Sequence, residues 1–93
     1  MIVSFADKES EKIFNLTFSR KIAPEIQERA YHKLVAIHEA VSLENLRQPP
    51  SNRLELLKGK LAGLHSIRIN KQWRIIFRWE GQDAHDVQIT DYH

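Results

Sequence analysis

The segment SIRINKQWRIIFRW, residues 66–79, alternates so regularly that it commits the chain to a sheet with two chemically different faces. Successive side chains along a strand point to opposite sides. Ile67 and Ile69 therefore share one face of the first half, and Ser66, Arg68 and Asn70 share the other. In the second half Trp73, Ile75, Phe77 and Trp79 point toward a core, while Arg74, Ile76 and Arg78 point away. Asn70-Lys71 marks the tight turn between the two strands, with Asn tolerating the left-handed backbone that a hairpin needs. EGQD predicts a further turn, and AHDVQITDYH a last strand that adds Val87 and Ile89 to the core.

An apolar sheet face has to be covered, and the cover is found upstream. MIVSF predicts a short strand. Asp7 can cap a following helix, with Glu9 and Glu11 in its first turn and Ile13, Phe14 and Phe18 as its buried stripe. A second helix starts at Pro24, the favoured first position, and carries Ile26, Ala30, Leu34, Ile37 and Val41 at spacings of 4, 4, 3 and 4. Pro49-Pro50 ends any helix that SLENLR forms, and RLELLKGKLAGLH, broken by Gly59 and Gly63, predicts a loop or short irregular strand. With no repeat or linker visible, residues 1–93 are expected to form a single α+β domain: two N-terminal helices packed on one face of a small antiparallel sheet.

Charge is distributed unevenly. Residues 1–46 carry a net −1, residues 47–78 a net +7 with Glu55 as their one acid, and residues 79–93 a net −4. The overall +2 hides a basic third of the chain, a pattern that suggests a polyanion footprint, most simply nucleic acid. The absence of cysteine excludes disulfides and thiolate metal sites, and no apolar run approaches the length of a bilayer span. The first residues, MIVSFADKESEK, lack the pattern of an export signal, so a cytoplasmic protein without a membrane partner is expected.

The open face of the sheet then carries Arg68, Asn70, Arg74 and Arg78, with Arg53, Lys58 and Lys60 just upstream and Lys71 in the turn. One account is a plain solvated sheet face, on which arginine stems cover apolar surface. Against it stands the near absence of counter-charge, since gathered like charges cost stability unless a ligand uses them. Guanidinium forks match the oxygens of phosphate, which makes a phosphate backbone the natural candidate. His32 and His38, six residues apart, do not share a helix face as metal ligands would, and are expected at the surface or its boundary. The C-terminal Asp91-Tyr92-His93 places three groups able to move or orient protons within three residues, although Asp91 and His93 continue the core phase of Val87 and Ile89.

LLKGKLAGLHSIRINKQWRIIFRW followed by a terminal DVQITDYH resembles the toxin of a bacterial toxin-antitoxin pair, in the HigB branch of the RelE-like superfamily. The resemblance covers nearly the whole chain. It is carried by LKG, the SIRIN and QWRI block and the terminal DYH together. It implies a compact microbial ribonuclease fold and an endoribonuclease that cuts messenger RNA, usually on the translating ribosome. The implied reaction is attack of a ribose 2′-hydroxyl on the adjacent phosphate, with no metal or cofactor. By position the resemblance marks Lys58, Arg74 and His93 as catalytic, accompanied by Asp91 and Tyr92, with Arg68 less securely matched. Arg74 would stabilise the growing phosphate charge, His93 would transfer protons near neutral pH, and Lys58 would serve as phosphate clamp or base. Arg53, Lys60, Arg68, Asn70, Lys71 and Arg78 are the candidate RNA contacts, and Tyr92 either stacks on a base or packs on the sheet. The resemblance also implies a HigA-like helix-turn-helix antitoxin, through which operator DNA would be bound indirectly. Two rival readings keep the basic face but no chemistry: a noncatalytic nucleic-acid module, and a domain that meets an acidic protein.

Overall fold

Two helices precede the sheet in the computed structural model of the chain, which describes residues 1–91. Helix α1 spans Lys8–Phe14 and begins where Asp7 predicts it: the Asp7 carboxylate accepts the Ser10 N–H at 2.8 Å, satisfying a donor with no partner inside the helix. It ends sooner than its apolar pattern implies. Asn15 closes it and Leu16 turns back at φ +61°, so Ile13 is buried while Phe18, expected in the buried stripe, is 60% exposed. Helix α2 spans Gln27–Glu39, entered through a 3-10 turn at Pro24–Ile26. Ile26, Ala30, Leu34 and Ile37 form its buried row. The spacing extends that row to Val41, but the backbone is already extended at Ala40 and Val41 is exposed. A 3.6-residue pattern names the face that a helix buries, not the residue at which it stops. Leu43–Arg47 forms only a 3-10 turn before Pro49-Pro50.

Among the described residues the sheet is antiparallel and four-stranded, in the order β1 (Glu55–Leu56), β2 (His65–Arg68), β3 (Trp73–Glu80), β4 (Asp83–Asp91). Both helices lie on one face. Ile67, Ile75, Phe77, Ala84 and Val87 are fully buried in one core with Ile13 of α1 and Ala30, Leu34 and Ile37 of α2. The buried Ser10 hydroxyl accepts the Ile89 N–H at 2.8 Å and pins α1 to β4.

Two local expectations are corrected. MIVSF, expected as a strand, makes two isolated parallel bridges to the outer edge of β4, Ile2 to Ala84 and Phe5 to Val87. A bulge interrupts the edge it pairs with: Asp86 adopts φ +53°, the β3–β4 register shifts between Ile76 and Arg78, and Ala84 and Val87 both reach the core despite a spacing of three. Asn70, expected in left-handed backbone, is not among the positive-φ residues. Its Oδ1 accepts the N–H groups of Gln72 and Trp73 at 2.8 and 2.7 Å, so the side chain closes the turn.

At the start of β2, His65 stacks on Phe77 with ring centroids 6.0 Å apart, and burial holds its imidazole below the ordinary histidine range. The unfolded chain therefore takes up a proton before the folded one does. Stability from this group is complete above the ordinary histidine pKa and is lost as pH falls toward the depressed folded value. His65→Phe is expected to keep the stacking and flatten this loss, which urea midpoints for both proteins at pH 7.5 and pH 5 would measure.

Candidate functional site

The sheet face turned away from the helices gathers the cations into registered rows. Arg68 stands opposite Arg74, and Arg74 opposite Thr90. The neighbouring row runs Glu55, Ser66, Ile76, Gln88 across all four strands. Directly opposed positions have Cβ atoms about 4.5–5.5 Å apart, so Arg68 and Arg74 are immediate neighbours. Arg74 Nη1 donates to Glu55 Oε1 at 3.0 Å and to Ser66 Oγ at 2.9 Å, which leaves its side chain 17% exposed. Arg68 Nε donates to the Asn70 carbonyl at 2.9 Å, folding that side chain toward the β2–β3 turn.

This face differs from the expected one in two respects. Ser66 and Ile76 are buried yet stand outside the helix-side core, so the face is not wholly solvated and Arg74 has a dry floor beside it. Nor are its arginines free of counter-charge. Arg74 is paired with Glu55, and Arg78 bonds Glu80 and lies 3.5 Å from Asp86. The argument from unpartnered charge fails for both, because strand pairing brings Glu55 to Arg74 and Asp86 to Arg78, while Glu80 stands two residues along β3 from Arg78 itself. Parity points to Ser66, which shares the phase of Arg68 on β2, whereas Glu55, in a stretch expected as a loop or short irregular strand, reaches Arg74 only through the β1–β2 pairing.

Glu55 occupies the Arg74 guanidinium, so any anion that approaches that group competes with its carboxylate. An exposed pair of this kind is worth about 0.2–1 kcal/mol. Glu55→Gln is accordingly expected to tighten binding of single-stranded RNA by about two- to fivefold, measured by titration against a fluorescent oligonucleotide.

The remaining candidates fall in three places. Asp91 ends β4 opposite Trp73, on the core phase as its parity requires, and accepts the Gln72 side-chain amide at 2.9 Å, which ties the strand end to the β2–β3 turn. Asn70 and Lys71 lie in that turn and share a pocket with Arg53 and Arg68. Lys58 precedes the 3-10 turn Gly59–Leu61 after β1 and Lys60 lies within it, both exposed. Arg78 is separated from Arg74 along β3 by four residues, about 13 Å. Tyr92 and His93 lie outside the described residues. The two helix histidines take boundary roles: His32 is exposed 3.9 Å from Glu28, and His38 Nδ1 accepts the Ile2 N–H at 3.1 Å.

Residues 3–93 match a family described as the RelE-like toxin of the type II toxin-antitoxin system HigB. The chain belongs to this HigB family of RelE-like toxins. As a type II toxin it has a cognate antitoxin. Toxin HigB-1 of Vibrio cholerae is 40% identical over 80 residues, which cover 85% of this chain and 84% of that protein. Endoribonuclease HigB of Proteus vulgaris is 30% identical over 93 residues, the full length of both, so the toxin is a homologue of an endoribonuclease. Its fold matches the YoeB-YefM complex from Staphylococcus aureus with a TM-score of 0.61 at 15% identity, covering 100% of this chain and 98% of that one. No helix among the described residues of the toxin is long and apolar enough to cross a membrane.

Proposed function

We propose that the toxin, acting as one domain over residues 1–93, is a cytoplasmic endoribonuclease that cuts messenger RNA on the translating ribosome. The observation that carries this reading is Arg74, fixed by Ser66 and Glu55 on a buried-floored sheet face beside Arg68, in a homologue of an endoribonuclease. In the reaction the ribose 2′-oxygen attacks the adjacent phosphorus and the bond from phosphorus to the 5′-oxygen breaks. The products are a 2′,3′-cyclic phosphate and a 5′-hydroxyl. The 2′-hydroxyl proton passes to a base and the leaving oxygen takes one from an acid. His93 transfers protons, Lys58 clamps the phosphate or acts as base, Asp91 orients the strand end, and Tyr92 stacks on a base. Arg74 neutralises charge on the phosphorane, and guanidinium geometry suits that task. A HigA-like helix-turn-helix antitoxin is the partner, and operator DNA is reached only through it.

Mapping new RNA 5′ ends in a translating extract tests this. Discrete cuts in messenger RNA that vanish when His93 is deleted are expected. Intact RNA at protein concentrations that saturate binding would replace the proposal with a noncatalytic nucleic-acid module.

A further inference from the structure

Beyond the Arg74 row, an open pocket of about 640 Å³ lies where α2 meets the β2–β3 turn, and its lining among the described residues includes Arg29, Lys33, Arg53, Arg68 and Lys71 but no acid. Arg29 and Lys33 do not stand out in the sequence, because they belong to a segment of net negative charge. They are four apart on α2 and so share one helix face.

The pocket is held in shape by its own bonds. Arg29 Nη1 donates to the Ile69 carbonyl at 3.3 Å, tying α2 to the end of β2. Lys33 Nζ donates to Oδ1 of Asn52, and Asn52, only 1% exposed, spends both amide hydrogens on the carbonyls of Leu46 and Gln48 at 3.1 Å each. A buried amide whose donors are both used is fixed in orientation, and it fixes Lys33 in turn. Arg53 follows directly, in left-handed backbone at φ +47°, a conformation costing about 1–2 kcal/mol for a residue with a side chain. Burial, and then the charge of Arg29, hold the Lys33 amine below the ordinary lysine range. A bound anion would offset both effects.

We propose that this pocket binds a non-scissile phosphate of the RNA backbone, next to the scissile phosphate at Arg74. The inference rests on the endoribonuclease reading. Continuity is the reason for choosing RNA: Arg68 lines the pocket and also stands directly across the β2–β3 ladder from Arg74, so one strand can occupy both places. Cations from helix, loop and turn converge on one concavity, which suits a tetrahedral phosphodiester accepting from several directions. The pocket then sets where along the message the strand is gripped while Arg74 faces the bond to be cut.

The test is binding of a single-stranded oligonucleotide, made uncleavable by a 2′-deoxy substitution, to the full chain across a range of salt. Two double variants are compared with wild type: Arg29→Gln with Lys33→Gln, and Arg29→Gln with Lys71→Gln. The second pair leaves the Lys33–Asn52 bond in place, so it reports on the pocket even if the first pair disturbs the loop. Both are expected to bind more weakly, with the slope of log affinity against log salt reduced by about 0.7 for one lost phosphate contact. Unchanged affinity and slope in both variants would overturn the proposal, as would a loss confined to antitoxin binding, which would assign the pocket to an acidic protein segment. Wild-type cleavage of messenger RNA with no pocket contribution sinks the phosphate site alone. A pocket contribution without any cleavage supports the phosphate site and sinks the endoribonuclease reading.

Discussion

Arg74→Ala is expected to lower messenger RNA cleavage by about 10²- to 10³-fold, the usual cost of removing one well-placed donor to transition-state charge. The size follows from preorganisation. In the free protein the guanidinium already sits against Ser66 Oγ at 2.9 Å with its stem largely buried, so little ordering remains to be done when a phosphate takes the place of Glu55. The fold should survive the change. Glu55 is 49% exposed and is rehydrated when its partner goes, and a pair this open contributes about 0.2–1 kcal/mol to stability. Single-turnover cleavage rates together with thermal melts separate the two effects. Arg74→Lys is expected to recover only part of the rate, because a point charge lacks the planar fork that grips two phosphate oxygens at once. Full activity in Arg74→Ala would remove Arg74 from the chemistry.

Phe77→Ala carries the largest expected effect on folding. Phe77 is fully buried at the centre of β3, with the His65 ring at 6.0 Å and the Trp79 ring at 6.3 Å. Truncating such a side chain removes its transfer free energy and leaves a cavity that a close-packed core closes only in part, at a cost of about 3–5 kcal/mol. Domains of this size have roughly 5–15 kcal/mol in total. The melting temperature should fall by at least about 12 °C, at 4–8 °C for each kcal/mol. Thermal and urea unfolding of the variant measure this directly, and a drop of only a few degrees would show that the helices collapse onto the gap. The two substitutions are three residues apart on one strand and on opposite faces, so they should fail in different ways: Arg74→Ala folded and inactive, Phe77→Ala active when cold and unfolded when warm.

Much of this architecture is legible in the chain's own alternation. The phase of Ile67, Ile75 and Phe77 against Ser66, Arg68 and Arg74 places the core and the site on opposite sheet faces, and the register keeps them there. Asp7 marks the start of α1, and Pro24 opens the 3-10 turn that leads into α2 at Gln27, because each acts through the backbone beside it. Phe18 and Val41 escape their expected burial because helix ends depend on where the chain must turn to meet the sheet, which periodicity does not record. The left-handed backbone expected at Asn70 gives way to a side-chain alternative that the same residue offers equally well.

Fold class, the helix-covered face and membership in the HigB family can all be read from the chain, since they rest on local alternation or on short motifs within it. What surrounds most of the charges was left to strand pairing and helix docking. They brought Glu55 and Ser66 onto Arg74, set Asp86 beside Arg78, and carried Arg29 and Lys33 out of an acidic segment to join Arg53, Arg68 and Lys71 around one pocket. The physical reason is range: a residue's phase along its own strand or helix is set by neighbours a few positions away, whereas electrostatic partners are chosen by strand pairing and helix docking across the whole fold.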